Sequence, residues 1–480
     1  MGRLDLDPTR RLHQDLIARW QQNPDQFDSV CSQANASLSG RRVKFESTRN
    51  MPVALSALLL DEQDEQTLRH VAETLHTIVE RALNWVLASA DRTRRYFADH
   101  LRMFPYLAKT PGLETWQGVS RYDAVVGPDG HLKIIELNTG CPAGFLHSEN
   151  FSRVTADAFA SLGLDRAYAL HRFGTIPPDA LVDELLAIEA KANLRGADGL
   201  VALVNDENRL LNELDLMADA FGKRGRTTAI VDAAELVLRD LGAEGDAVYH
   251  QDKRVTLTFN KVRVSTENSP GWNWKPGFED RYAAFLAGVR RGLMASVNNF
   301  CGLTIAEDKG LLGVLRLPEF QAELPRQQRD FIAEHVLWTT RLEETTATWQ
   351  GKSIDLLPYL RQHPDQFVIK PANEGRGFRV VLGKHCAASQ WGTAQQWDAA
   401  CRPDKDLPCV AQEHAEACTL PVVMRRGDQT EIVNAYLTIG MAVIRGRYHG
   451  LLARVSADPV TNVGREGRLQ AVFITRPGTS

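Results

Sequence analysis

Two short apolar, β-branched runs, Tyr122 to Val126 and Leu132 to Leu137, are separated only by Gly127-Pro128-Asp129-Gly130. That tetrapeptide is turn chemistry, and the spacing predicts a β-hairpin. Because successive strand side chains face opposite ways, Glu136 and Asn138 share one face, and Asp123 on the partner strand can lie across from them. Two carboxylates and a carboxamide oxygen converging there suit Mg²⁺, which takes oxygen ligands and leaves room for substrate phosphates. For this segment alone, a solvated acidic hairpin face is the alternative.

The rest of the chain narrows the classes of partner. With 56 basic against 60 acidic residues the formal charge is −4, which gives no general attraction to polyanions, and no Lys/Arg cluster forms a nucleic-acid footprint. The start of the chain is polar and no run of about 18 apolar residues occurs, so neither a signal peptide nor a membrane span is readable and a cytoplasmic location is expected. The seven cysteines show no Cys-x-x-Cys pairing, which speaks against a disulfide framework and a zinc site. At 480 residues the chain exceeds a usual single domain, so two or three lobes around a cleft are expected.

Residues 1 to about 118 read as helical, most clearly Glu65 to Ala90, where Leu68, Val71, Leu75, Ile78, Val79, Ala82, Leu83, Val86 and Leu87 keep helical spacing. Further along, Gly199 to Asn205 predicts a buried strand, Leu210 to Arg224 a helix and Thr227 to Val231 a second strand, which together make a βαβ unit. A strand Val255 to Phe259 follows. It ends in Asn260-Lys261-Val262-Arg263 and leads to a Pro/Gly loop carrying Trp272 and Trp274. From Phe300 onward the pattern is α/β again.

A second chemical signal spans Gln366 to Gly383, a strand, a turn containing Glu374-Gly375-Arg376-Gly377, and a returning strand. Lys370 sits inside the apolar strand. Burying an unpaired ammonium is costly, so an anionic partner is expected, unless the lysine simply snorkels from a plain hairpin. Glycines there would let backbone N–H groups approach a phosphate chain. The third signal is Pro408-Cys409-Val410-Ala411-Gln412-Glu413, an apolar strand ending in a polar pair, which suits a strand whose backbone edge reads adenine.

Taken together these segments resemble the ATP-grasp enzymes. The order, with Arg121-x-Asp123 and Glu136-x-Asn138 ahead of Lys370 and Gln412-Glu413, resembles the circularly permuted branch that includes glutathionylspermidine synthase-like proteins and related amide-forming ligases. The resemblance implies an α+β and α/β chain with a permuted ATP-grasp fold. Its expected divisions are a helical region leading into the metal hairpin over 1–160, a middle βαβ-containing lobe over 161–299, a nucleotide lobe with the glycine hairpin over 300–400, and an adenine strand with the C-terminal sheet over 401–480. Carried over position by position, it implies that Glu136 and Asn138 ligate Mg²⁺ and that Asp123 ligates a metal or orients its water. Arg121 would hold phosphate or the acyl-phosphate intermediate, and Arg454 would act on the transferring phosphoryl group. Lys309, Lys370, Glu374, Gly375, Arg376, Gly377, Gln412 and Glu413 would hold ATP. The turn has only two glycines where many relatives have a longer flap, and Asn462 to Gly467 lacks a tight double glycine, so phosphate coverage is expected to be looser.

The implied activity is ATP- and Mg²⁺-dependent joining of a carboxylate to an amine through an acyl phosphate, in peptide or natural-product metabolism. A phosphotransferase and a nucleotide-binding subunit without turnover stand as alternatives. Expected partners are small carboxylate and amine substrates, with no nucleic acid and no membrane, and a homodimer is left open. Strand-end loops beside a cleft commonly contact substrate, which makes Asn205, Asn260, Lys261, Arg263 and Trp272 candidates in the middle lobe.

Overall fold

The computed structural model describes residues 2–45, 49–51, 54–140, 142–194, 199–206, 211–262, 276–375, 377–387, 392–426, 429–463 and 467–476. Its largest sheet, eight-stranded among the described residues, joins the two ends of the chain. The expected hairpin forms as Val119–Val126 and Leu132–Asn138. Val119–Val126 pairs on its other side with Gln429–Ile444, antiparallel and with Gly440 opposite Asp123. Arg447–Ser456 and Arg468–Thr475 extend the sheet from there. More than 300 residues of sequence therefore lie between two strands that are hydrogen-bonded neighbours.

The long helix that covers this sheet runs Glu62–Leu87. Asp61 caps it: its side chain accepts from the Asp64 backbone N–H at 2.8 Å, and the Asp64 side chain accepts from the Asp61 N–H at 3.2 Å, which satisfies two otherwise orphaned donors. Leu68, Val71, Leu75, Ile78, Val79, Ala82, Leu83 and Val86 are fully buried in a core shared with Tyr122, Ala124, Leu437, Ile439 and Val455. The helix thus presses on the face opposite the polar one that carries Asp123.

The N-terminal region departs from the all-helical expectation. Ala57–Leu60 is a strand, parallel to Arg468–Thr475 with Ala57 opposite Ala471. All four of its residues are buried, so they show no alternation, and a continuous apolar run carries no period that separates strand from helix.

In the middle of the chain Leu200–Asn205 pairs in parallel with Thr228–Asp232 and with Lys253–Asn260, and Leu211–Gly222 packs against the first pair. Ala295–Val297 adds another parallel strand. A third sheet, antiparallel, has the order Thr339–Arg341, Cys409–Glu413, Phe367–Pro371, Val381–Leu382. Cys409–Glu413 therefore belongs with the strand of Lys370, and a division at residue 400 cuts through that sheet. Because the strand is paired on both sides, it has no free backbone edge to offer adenine; unpaired backbone begins only after it, at Ala415 to Ala417. No described helix is long and apolar enough to cross a membrane.

Candidate active site

The hairpin register puts Asp123 directly opposite Glu136 and Arg121 opposite Asn138, so all four side chains share one face of the large sheet. Asp123 Oδ1 accepts from Arg121 Nε at 2.7 Å, and Oδ2 accepts from Arg121 Nη2 at 3.0 Å and from Arg454 Nη2 at 2.7 Å. Burial alone would raise the Asp123 carboxyl, but the two guanidinium groups outweigh it and hold it below the usual carboxylate range. Arg121 is further fixed by donating Nη1 to the Ala143 carbonyl at 2.7 Å. Arg454 comes from Arg447–Ser456, two strands away, and its buried Nε–H has no partner among the described residues.

This ion cluster lies flat against the neighbouring strand only because residue 440 is glycine. A Cβ there would stand 2.7 Å from both Arg121 Cδ and Asp123 Oδ1. Gly440→Ala is expected to cost about 1–3 kcal/mol through overpacking and to lower turnover by more than the shift in melting temperature accounts for. Thermal unfolding and steady-state assays of the same preparation check this.

Facing the hairpin, Lys370 projects from Phe367–Pro371 and donates to Gln412 Oε1 at 2.7 Å. Burial lowers its ammonium to about 8; Glu136 and Asp123 oppose the shift and Lys309 adds to it. Gln412 also donates Nε2 to Thr339 Oγ1 at 3.1 Å, and Glu413 turns the other way to accept from the Trp338 backbone N–H at 3.2 Å. Past the lysine strand the chain turns through Gly375 and Gly377. Gly377 has φ +67°, a conformation that favours glycine, whereas a Cβ at Gly375 would meet nothing within 4 Å.

The turn 307–310 links these two walls. Asp308 is its anchor, fully buried and accepting from His100 Nε2 at 2.7 Å, Arg341 Nη2 at 2.8 Å and the Gly310 N–H at 2.7 Å. Lys309, held by its backbone N–H to the Ala372 carbonyl at 2.8 Å, sends Nζ to the Glu374 carbonyl at 2.7 Å and to within 3.5 Å of Glu136 Oε2. Glu307, just before the anchor, follows a stretch of π-helix at Gly302–Ala306, a local widening that often marks functional sites. Burial raises the Glu307 carboxyl to about 8, with Lys309 opposing, Glu136 adding, and Arg121 and Lys261 also opposing.

All of this opens on one cavity of about 840 Å³, a size that suits a small-molecule site. Arg121, Asp123, Glu136, Asn138, Lys370, Glu374, Gly375, Gly377, Gln412, Glu413, Arg454 and Lys261 line it. Lys309 lies just behind the wall, 3% exposed at its side chain. Lys261 donates to the Pro142 carbonyl at 2.5 Å and stands 4.0 Å from Glu213, which in turn accepts from the Gly144 N–H at 2.8 Å.

Two middle-lobe candidates do not reach the cavity wall. Asn205 and Asn260 are 1% and 0% exposed; the Asn260 carboxamide donates to the Asn298 carbonyl at 3.0 Å and accepts from the Val262 N–H at 2.9 Å. Asn260 serves the end of its parallel strand, where backbone groups lose their ladder partners, and is no substrate contact. Arg263, Trp272 and Arg376 lie outside the described residues, as do Trp274 and Gly464 to Glu466.

As a magnesium site the donors divide. Among the described residues no three His, Cys, Asp or Glu side chains converge on a point where they could hold a metal by themselves. Asp123 accepts three hydrogen bonds from guanidinium groups, one at Oδ1 and two at Oδ2, which leaves it little acceptor capacity for a metal or its water. Glu136 and Asn138 do fit: both line the cavity from one face of the hairpin, so that the Glu136 carboxylate, 22% exposed at its side chain, and the Asn138 carboxamide oxygen can both be aimed into it. Two protein oxygens beside phosphates are a usual complement for Mg²⁺.

Sequence reasoning passed over Glu307, Gly440, His147 and Glu213, which line or support the cavity. Only the Glu-Asp-Lys order beside Lys309 could have drawn attention to the first. The others become visible only through tertiary placement.

No protein-family model matches the chain, and no curated protein matches its sequence. Among solved structures it is similar to a glutathione synthetase-like effector of Globodera pallida in its apo form, at 12% identity over 93% of this chain and 96% of that chain, with a TM-score of 0.58. The chain shares the overall mixed α/β fold of that protein.

Proposed function

We propose that this chain is an ATP- and Mg²⁺-dependent carboxylate–amine ligase that works through an acyl phosphate, and that its motif order is that of the circularly permuted ATP-grasp branch. The observation that carries the reading is one cavity walled on one side by Glu136, Asn138 and the Arg121–Asp123–Arg454 cluster, and on the other by Lys370 and Gln412. A carboxylate does not acylate an amine at neutral pH because its leaving group is poor, and phosphorylation supplies a better one.

In this reading Lys370, Lys309 and the turn at Gly375 and Gly377 grip the phosphates, while Gln412, Glu413 and the backbone from Ala415 to Ala417 take the nucleoside end. Glu136 and Asn138 would hold Mg²⁺, which when bound neutralises charge on the phosphate oxygens. The acid's carboxylate oxygen attacks the terminal phosphorus, ADP leaves, and the spreading charge is met by Arg454 Nε–H and by Arg121. Asp123 acts as the positioning residue that holds both arginines ready. Positioning of this kind lets the protein meet charge without reorganising at the moment of reaction.

A screen of acid and amine pairs for ADP release, with mass spectrometry of the product, tests the reading. Release that needs both an acid and an amine is expected. A stable phosphorylated acceptor would point to phosphotransfer instead, and no release with any pair would point to a binding subunit.

Lys370→Ala is expected to weaken ATP binding by about 2 kcal/mol, roughly thirtyfold, without lowering fold stability, because the buried ammonium is itself costly to keep. Isothermal titration and urea unfolding separate the two effects. The lysine is charged below about 8 and neutral above. ATP affinity of the native chain should therefore fall between about pH 7 and about pH 9.5, whereas Lys370→Arg, charged throughout, should stay flat.

A further inference from the structure

The charges around the cavity are nearly all committed to one another. Arg121 is held by Asp123 and the Ala143 carbonyl, Lys261 by Glu213 and the Pro142 carbonyl, and Lys309 by Glu136 and the Glu374 carbonyl. Glu307 differs. Its carboxylate lines the cavity, yet it makes no hydrogen bond or ion pair with any described residue. The chain makes room for it there, since Gly140, two residues past Asn138, has no Cβ: one built at that position would lie 2.4 Å from Glu307 Oε2. The charged groups acting on Glu307 come from three directions: Lys309 on its own turn, Glu136 and Arg121 on the hairpin, and Lys261 on the middle lobe. It therefore stands where the phosphate-side wall meets the middle lobe, beside the arginine assigned to the acyl phosphate.

Burial leaves the Glu307 carboxyl largely protonated near neutral pH; an ammonium group beside it would draw it back to the carboxylate form, so the side chain, having no protein partner among the described residues, favours a cation from the ligand. ATP and the acid substrate are anions and offer it no such charge. The cationic species in the proposed reaction is the amine, which is protonated at neutral pH and cannot attack until it loses that proton. We propose, resting on the ligase reading above, that Glu307 binds the ammonium group of the incoming substrate and removes its proton as the amide forms, which makes that substrate a protonated primary amine.

The step balances as follows. One N–H proton passes to the Glu307 carboxylate, and the freed nitrogen lone pair forms the C–N bond to the acyl-phosphate carbon. The carbonyl π pair moves to oxygen and returns as the carbon–oxygen bond to phosphate breaks. The second N–H proton leaves with the departing phosphate, and Glu307 later returns its proton to solvent. A carboxyl raised toward neutrality by burial is suited to such a transfer, since a base works best with a pKa near the operating pH.

Hydroxylamine is the discriminating probe, because near neutral pH it is an uncharged nucleophile that needs no ammonium site. The full chain is supplied with Mg²⁺, ATP and the common amino acids and dipeptides as acids, together with either hydroxylamine or a panel of protonated amines comprising amino acids and putrescine. Glu307→Gln is expected to lower the ratio of amide to hydroxamate by about a hundredfold, and Glu307→Asp should restore part of it. Hydroxamate yield also reports that the variant is folded. An unchanged ratio, whether both products fall together or neither falls, would overturn the assignment. Absence of hydroxamate from the unaltered chain with every acid would instead overturn the ligase reading beneath it.

Discussion

Replacing Glu136 by Gln should keep the fold and most nucleotide binding while lowering turnover by about a hundredfold or more, the scale on which one electrostatic contact to a developing charge acts. The substitution keeps the shape of a side chain that is already partly open to the cavity and removes one negative charge. Nothing in the core depends on that charge: its one close partner among the described residues is Lys309 at 3.5 Å, which is also held by the Glu374 carbonyl. Unchanged turnover with a saturating acid and amine would remove Glu136 from the metal role, and a collapsed melting transition would show it to be structural instead.

Asp123→Ala should be the most destabilising substitution in the site, at about 3–5 kcal/mol, because removing one member of a buried ion cluster leaves uncompensated charge behind. Here two guanidinium groups lose their partner at once, and both are largely buried, with side chains 12% and 10% exposed. The sign of the pH dependence follows from the same contacts. The folded carboxyl lies below its unfolded value of about 4, so its contribution is present above that value and drains away as pH falls through the folded one. Urea unfolding at neutral and acid pH should show the native chain approaching the variant only on the acid side. A constant gap across the range would mean that the loss is one of packing rather than charge.

Some of this was legible from the residues because local chemistry decided it. Gly127-Pro128-Asp129-Gly130 dictates a reversal, the flanking runs are apolar and β-branched, and Glu136 and Asn138, two apart on a strand, must then share a face. Lys370 stands out because an ammonium in an apolar strand demands an explanation. The βαβ unit at 199–231 could be read from two continuous apolar runs around a helical one, and the strands formed within a residue of the expected bounds.

The parts that were not legible depend on partners far away in sequence. Ala57–Leu60 is a strand because Arg468–Thr475 lies beside it, and nothing within its four residues says so. That Arg454, more than 300 residues on, holds one oxygen of Asp123 could not be read from the hairpin alone. By sequence Gln412 and Glu413 suit a strand whose backbone edge meets adenine, yet Thr339–Arg341 pairs along that edge. Gly440 is one glycine among 35 until the Arg121–Asp123 pair is seen resting on it. Asn260 misled for a related reason: a polar residue at a strand end is as useful to unpaired backbone as to a substrate.

Transfer of oxygen-18 tests the central chemistry most directly. With carboxyl-labelled amino acids and dipeptides as acids, hydroxylamine as the nucleophile and Mg²⁺·ATP, the inorganic phosphate released should carry one labelled oxygen, because the acid's own oxygen becomes the bridge of an acyl phosphate and leaves with phosphorus. Phosphate released without label, while hydroxamate accumulates, would contradict an acyl phosphate formed in this cavity.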